Sequence, residues 1–146
     1  MKAAEITVSY HPTTPPKDRC LIRSSTDAYA MIHDIWNMDK IEYREEFVVL
    51  YLDRRHGVIG HYLHSIGSDV ATIVSVKQIL AIALKVNATG LILMHNHPSG
   101  SLKPSRNDKN LTDKIRKAAE LFEITVLDHL IITLDGYFSF ADDGMM

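Results

Sequence analysis

The sequence predicts a mixed α/β fold: one domain built on a mixed β-sheet flanked by helices. Three observations carry this expectation. Strand-like apolar runs at 47–52, 58–66, 90–94 and 124–133 are separated by turn residues or by segments with helical periodicity. The intervening segments place apolar residues three and four apart, the mark of a helix with one buried stripe. At 146 residues, 46% hydrophobic and 23% charged, the chain has the length and composition of one ordinary globular domain with a real core. We expect residues 1–19 to form an N-terminal extended arm and residues 20–146 to form the domain.

Each element follows in order. His11 to Asp18 is too proline-rich for a helix and reads as an arm. Ser25 or Thr26 is placed to cap a helix whose Ala28, Met31, Ile32, Ile35 and Trp36 form one apolar stripe. The strand beginning near Glu45 runs through Leu52 into the polar turn Asp53-Arg54-Arg55-His56-Gly57. A second strand from Val58 to Ile66 completes a hairpin. Ser75 is placed to cap a helix that turns Ile79, Leu80, Ala83 and Leu84 inward, and Asn87-Ala88-Thr89-Gly90 ends it. Gly90-Leu91-Ile92-Leu93-Met94 is a short continuous apolar run, the pattern of a strand buried on both faces. Pro98-Ser99-Gly100-Ser101 breaks the chain, and Ser105 opens a helix with Leu111, Ile115, Ala118 and Phe122 inward. A long strand from Ile124 to Thr133 and a turn at Asp135-Gly136 lead into Tyr137-Phe138-Ser139-Phe140.

The chemistry concentrates between residues 95 and 108. Side chains alternate along a strand, so His95 and His97 leave the end of the buried run on one side, about 6.5–7 Å apart along the chain. Asn96 points the other way as a packing or turn residue. Asp108 lies three residues before Leu111, on the inward stripe of its helix. A carboxylate on an apolar face needs a partner, because its unpaired charge is costly to bury. Two readings of Asp108 stand side by side. In one, Ser105 and Asp108 form a capping box at the helix start. In the other, Asp108 joins His95 and His97 around a metal, leaving a fourth position for water, the donor set of an open catalytic zinc site. His61 and His64 lie three apart in a strand and face opposite ways. His129 diverges from Asp128 and suits a hydrogen-bonded core role behind the ligands.

The pattern resembles the JAMM (MPN+) metalloenzyme signature: a distal Glu, then His-x-His-Pro, six residues, and Ser-x-x-Asp. His95, His97, Pro98, Ser105 and Asp108 match it position by position. Asn87-Ala88, the run His95 to Gly100, Pro104-Ser105 and Leu127-Asp128-His129 are similar to the JAB domain of RadC-type proteins, from about Cys20 to about Ser139. The resemblance implies an MPN/JAB-like fold, one zinc ion held by His95, His97 and Asp108, a serine (Ser105) that helps stabilise an oxyanion, and a distal glutamate. The segment Arg44-Glu45-Glu46-Phe47 offers two glutamates on opposite strand faces, and periodicity alone does not choose between them. The RadC pattern, Arg-Glu-x-Phe, selects Glu45, which leaves Glu46 as a solvated strand-end charge. RadC proteins also carry a helix-hairpin-helix region ahead of this domain, for which residues 1–19 leave no room.

The expected activity is therefore hydrolysis of a peptide or isopeptide bond, with Glu45 as general base. The rival is a DNA-repair or mobile-element accessory protein that binds DNA or a repair partner, with a structural or vestigial metal site. Phosphodiester cleavage is a weaker third, since the site holds one metal with a single acidic ligand. A net charge of −2 argues against a surface built wholly for nucleic acid. Lys103, Arg106, Lys109, Lys114, Arg116 and Lys117 crowd the loop and helix beside the site; they could attract phosphates or an acidic partner, but a solvated face balanced by Asp113 and Glu120 is the preferred reading. The single cysteine, Cys20, excludes an internal disulfide framework and reads as inert. No signal-peptide or membrane-spanning run is visible, so a cytoplasmic protein is expected.

Overall fold

A computed structural model describes residues 1–7, 9–67 and 73–146 of the chain. Among the described residues five strands form one sheet: β1 (Glu45–Leu52), β2 (Val58–Gly67), β3 (Gly90–Asn96), β4 (Thr125–Thr133) and β5 (Gly136–Ser139), in the order β2-β1-β3-β4-β5. β1 is antiparallel to both β2 and β3, β3 is parallel to β4, and β4 is antiparallel to β5. The sheet is therefore mixed, as the sequence predicts. Among the described residues the helices include α1 (Ser25–Ala30), α2 (Ile32–Ile35), α3 (Val76–Lys85) and α4 (Arg106–Glu120).

Strand alternation divides the core in two. Phe47, Val49, Tyr51, Leu91 and Leu93 face Ile79 and Ala83 of α3 and Leu111 and Ile115 of α4. Val48, Leu50, Leu52, Ile92 and Met94 point the opposite way, against Ala28 and Ile32 of the short helices and against Trp36. Every residue of β3 is buried, as its unbroken apolar run requires. Because α4 crosses from the end of β3 to the start of the parallel neighbour β4, its first turn is delivered to the end of β3 where the histidines emerge.

Several local expectations are corrected. The first helix is capped by Ser24, whose hydroxyl accepts from Asp27 N–H, and not by Ser25 or Thr26; it is also split, with α2 beginning at Ile32. Ser75 does cap α3, by accepting from Gln78 N–H. Leu84 and Phe122 are 52% and 50% exposed and so lie off the buried stripes. The inward positions of α4 are Asp108, Leu111, Thr112, Ile115 and Ala119, and Phe122 falls beyond the helix end. Glu46 is not a solvated charge: its Oε1 meets Arg44 Nε at 2.7 Å, with most of its side chain covered. Ahead of the first strand, Pro16–Asp18 form a 3₁₀ turn whose Pro16 carbonyl accepts from Arg55 Nη2. No helix among the described residues is long and apolar enough to cross a membrane.

Candidate metal centre

The end of β3 sets the geometry. His95 is fully buried and pairs across the sheet with Phe47 of β1 and Ile131 of β4, while His97 continues the chain by donating its N–H to Ile132 O. Both rings turn Nε2 toward the same point, with the two Nε2 atoms 2.9 Å apart. Pro98 and Ser99 form the middle of a tight turn closed by Gly100 N–H on the His97 carbonyl. Gly100 takes φ +78, which brings Ser101 O to 2.7 Å from His97 Nδ1. A carbonyl can only accept, so His97 carries its proton on Nδ1 and offers the Nε2 lone pair inward.

Asp108 caps the helix and at the same time faces the histidines. Ser105 Oγ accepts from Asp108 N–H at 3.0 Å and Asp108 Oδ2 accepts from Ser105 N–H at 2.7 Å, a complete capping box at the start of α4. The same carboxylate lies 3.3 Å from His95 Nε2 through Oδ1 and 3.5 Å from His97 Nε2 through Oδ2. The capping box therefore fixes the rotamer that aims the carboxylate at the histidines. Burial alone would raise the Asp108 carboxyl, but the two facing imidazoles overcome it and hold the group well below the ordinary carboxylate range. Burial likewise pulls His97 down, yet Asp108, the Ser101 carbonyl and Glu45 together raise it above its ordinary value.

Glu45, at the head of β1, shares the face of Phe47, and its Oε1 stands 3.8 Å from His97 Nε2. One ligating atom each from Glu45, His95 and His97 lie within 4.8 Å of one another. The structure thus brings Glu45, His95, His97 and Asp108 together. Ser105 stands at the adjacent helix start, with its hydroxyl oxygen engaged by Asp108 N–H. These donors fit a cation: two imidazole nitrogens and two carboxylates converge, a nitrogen and oxygen set suited to a divalent ion. Glu45, His95 and His97 are positioned to bind a metal ion.

A sequence profile described as RadC-like JAB domain matches residues 22–145. The chain belongs to this family. It is 44% identical to a UPF0758 protein of Flavobacterium johnsoniae over 85% of this chain and 53% of the relative. It is 40% identical to a UPF0758 protein of Actinobacillus succinogenes over 99% of this chain and 60% of the relative. A UPF0758 protein of Aquifex aeolicus is 36% identical over 89% of this chain and 54% of its own length. The RadC-like chain spans between 53% and 60% of these curated relatives.

A cleft of about 550 Å³ opens beside Glu45 and His97, lined also by Tyr43, Gly67, Pro98 and Lys103. It provides access from solvent to one side of the RadC-like site. Asn96, expected only to pack, has a larger part. Its Oδ1 accepts from Glu46 N–H at 2.7 Å, and its Nδ2 donates to Ile41 O at 2.6 Å and Arg44 O at 2.8 Å. These bonds bracket Glu45 and tie its backbone to the histidine strand.

One other contributor escaped the sequence reading. Thr112, one turn after Asp108, is buried against His129, and His129 in turn meets His95. The i,i+4 spacing of Asp108 and Thr112 was the available signal, since it puts both on one helix face. His129 Nε2 is occupied by His95 Nδ1 at 2.7 Å, so it stands behind the site as expected of a core residue. His61 and His64 stay apart from the cluster: His64 Nε2 bonds Tyr51 OH at 2.7 Å, and His61 is exposed on β2.

Proposed function

We propose that this RadC-like JAB domain is a zinc-dependent hydrolase of peptide or isopeptide bonds. The observation that carries the proposal is the convergence of His95 Nε2, His97 Nε2 and the Asp108 carboxylate beside an open cleft, with Glu45 Oε1 3.8 Å from His97 Nε2. Two imidazoles and one carboxylate with a position left for solvent are the donor set of catalytic zinc. Zinc held there supplies a water that ionises near neutral pH and a Lewis acid for the scissile carbonyl.

The chain's own residues do the rest. Glu45 accepts the proton of the attacking water and delivers it to the leaving amine, which must be protonated to depart. Ser105 donates its hydroxyl proton toward the developing oxyanion, a contribution of about 3 kcal/mol where such donors have been removed in other enzymes. Asn96 keeps Glu45 in place through the backbone on either side of it. The cleft beside Tyr43 and Lys103 receives the substrate chain.

The test pairs zinc analysis with turnover. Wild-type protein and Glu45→Gln are assayed against peptide and isopeptide panels, with duplex and single-stranded DNA as binding controls. The expected result is stoichiometric zinc in both proteins and cleavage by the wild type only. Cleavage surviving Glu45→Gln would remove the glutamate from the mechanism. Stoichiometric zinc without cleavage, combined with salt-sensitive DNA binding, would favour an accessory role through the exposed cations of α4.

A further inference from the structure

Behind His95 runs a buried chain of hydrogen bonds whose direction is fixed at its far end. Thr112 Oγ1 donates to Asp108 O at 2.6 Å, the back-bond a helical threonine makes to the preceding turn. A hydroxyl has a single proton, so the contact between Thr112 Oγ1 and His129 Nδ1, at 2.6 Å, requires the ring nitrogen to donate. Phe47 meets the His129 ring edge-on and Phe140 stacks on it at 4.7 Å, a fully buried and largely apolar enclosure. A charged imidazole is disfavoured in such an enclosure, so the ring carries the single proton that it places on Nδ1. A neutral ring that donates from Nδ1 must accept at Nε2. The 2.7 Å contact between His129 Nε2 and His95 Nδ1 is therefore donated by His95.

We propose that Thr112 and His129 are positioning residues that lock His95 in the Nδ1–H tautomer and so aim its Nε2 lone pair at the cation position. This rests on the reading that His95 is a metal ligand, and it assigns the pair a role that neither a family match nor the ligand geometry contains. The arrangement is economical in sequence. Asp108 supplies both the carboxylate that faces His95 Nε2 and the backbone carbonyl that orients Thr112, so one turn of α4 sets both sides of the same imidazole. His97 receives the same tautomer by a separate route, the Ser101 carbonyl, so the two ligands present matched nitrogens. Partners of this kind behind a metal ligand are worth 10–100-fold in metal affinity in other proteins.

The test has two readouts. Long-range ¹H–¹⁵N NMR of the histidine rings, on zinc-loaded and on chelator-treated protein, reports each tautomer directly; competition with a chromogenic chelator reports zinc affinity. Both rings in the wild type are expected as Nδ1–H tautomers. His129→Leu should weaken zinc binding about 10–100-fold. His129→Gln, whose amide oxygen can accept from His95 Nδ1–H, should recover most of that loss. Thr112→Val, nearly isosteric, should keep the fold but mix the His129 tautomers and weaken zinc about 3–10-fold, a smaller share of the same effect. An Nε2–H tautomer at His95 in chelator-treated wild type would overturn the proposal, as would unchanged zinc affinity in both His129→Leu and Thr112→Val. Should His129→Leu fail to fold, the wild-type spectrum and Thr112→Val still decide. If wild-type protein binds no zinc, the metal reading fails, while the tautomer readout continues to judge the relay separately.

Discussion

Replacing Asn96 by alanine should damage this domain far more than loss of one polar side chain from a strand end would suggest. The side chain makes three hydrogen bonds to backbone groups of residues 41–46, and it is itself fully buried. The bond to Ile41 O is buried, and an abandoned buried carbonyl costs about 1–3 kcal/mol. The bonds to Arg44 O and Glu46 N–H are partly buried and are worth about 0.5–1.5 kcal/mol each. Together they predict a loss of roughly 2–6 kcal/mol for Asn96→Ala, partly recovered if water enters the space. For a domain of this size that corresponds to a fall of roughly 5–20 °C in Tm. Asn96→Asp should be no rescue: one oxygen keeps the Glu46 N–H, but the other is set against two carbonyls that both need a donor. Urea unfolding of the wild type and both variants measures the effect. A loss below about 1 kcal/mol in Asn96→Ala, or near-wild-type stability of Asn96→Asp at neutral pH, would refute the reasoning.

Further outcomes follow from other groups. Burial lowers His64 to about 4, so between that pH and the ordinary histidine value of about 6.5 the ring is neutral when folded and takes up a proton on unfolding. A depressed folded value means stability present above the ordinary histidine value of about 6.5 and lost as pH falls from there toward 4, at up to about 1.4 kcal/mol per pH unit. His64→Gln, which can still meet the Tyr51 hydroxyl, should flatten that part of the pH–stability curve, and an unchanged slope between pH 7 and 5 would contradict it. Ser105→Ala removes the N-cap of α4 and should cost about 1 kcal/mol in denaturant unfolding, with Ser105→Asn restoring most of it. If Ser105 also serves the oxyanion, Ser105→Asn should recover stability without recovering kcat, a separation that capping alone does not produce.

What the sequence discloses, and what it withholds, divides along the range of the interactions. The strand period of two places Phe47, Val49 and Tyr51 on one face and Val48, Leu50 and Leu52 on the other, and the sheet obeys this because both faces are covered. The caps at Ser75 and Ser105 are legible because each is settled within three residues. His95, His97 and Asp108 are legible as a group because strand alternation and a helix start are local rules, although their convergence depends on α4 beginning beside the end of β3. Leu84 and Phe122 were misplaced since hydrophobicity does not reveal which part of a helix the sheet reaches. Glu46 was misread because Arg44, just ahead of β1, pairs with it and covers it, an ion pair that a simple solvent-facing picture omits. Asn96, His129 and Thr112 act through contacts spanning between 17 and 55 residues of sequence, so their partners are not legible locally even where a residue's face or core role is.

The most direct test is zinc K-edge X-ray absorption on the chain loaded with one equivalent of zinc, with His97→Ala and Asp108→Ala measured alongside. The account predicts a light-atom shell at about 2.0–2.1 Å, imidazole scattering from two rings, no sulfur, and loss of one ring's signal in His97→Ala. A spectrum without imidazole scattering, or one unchanged by either substitution, would contradict a metal centre built from His95, His97 and Asp108.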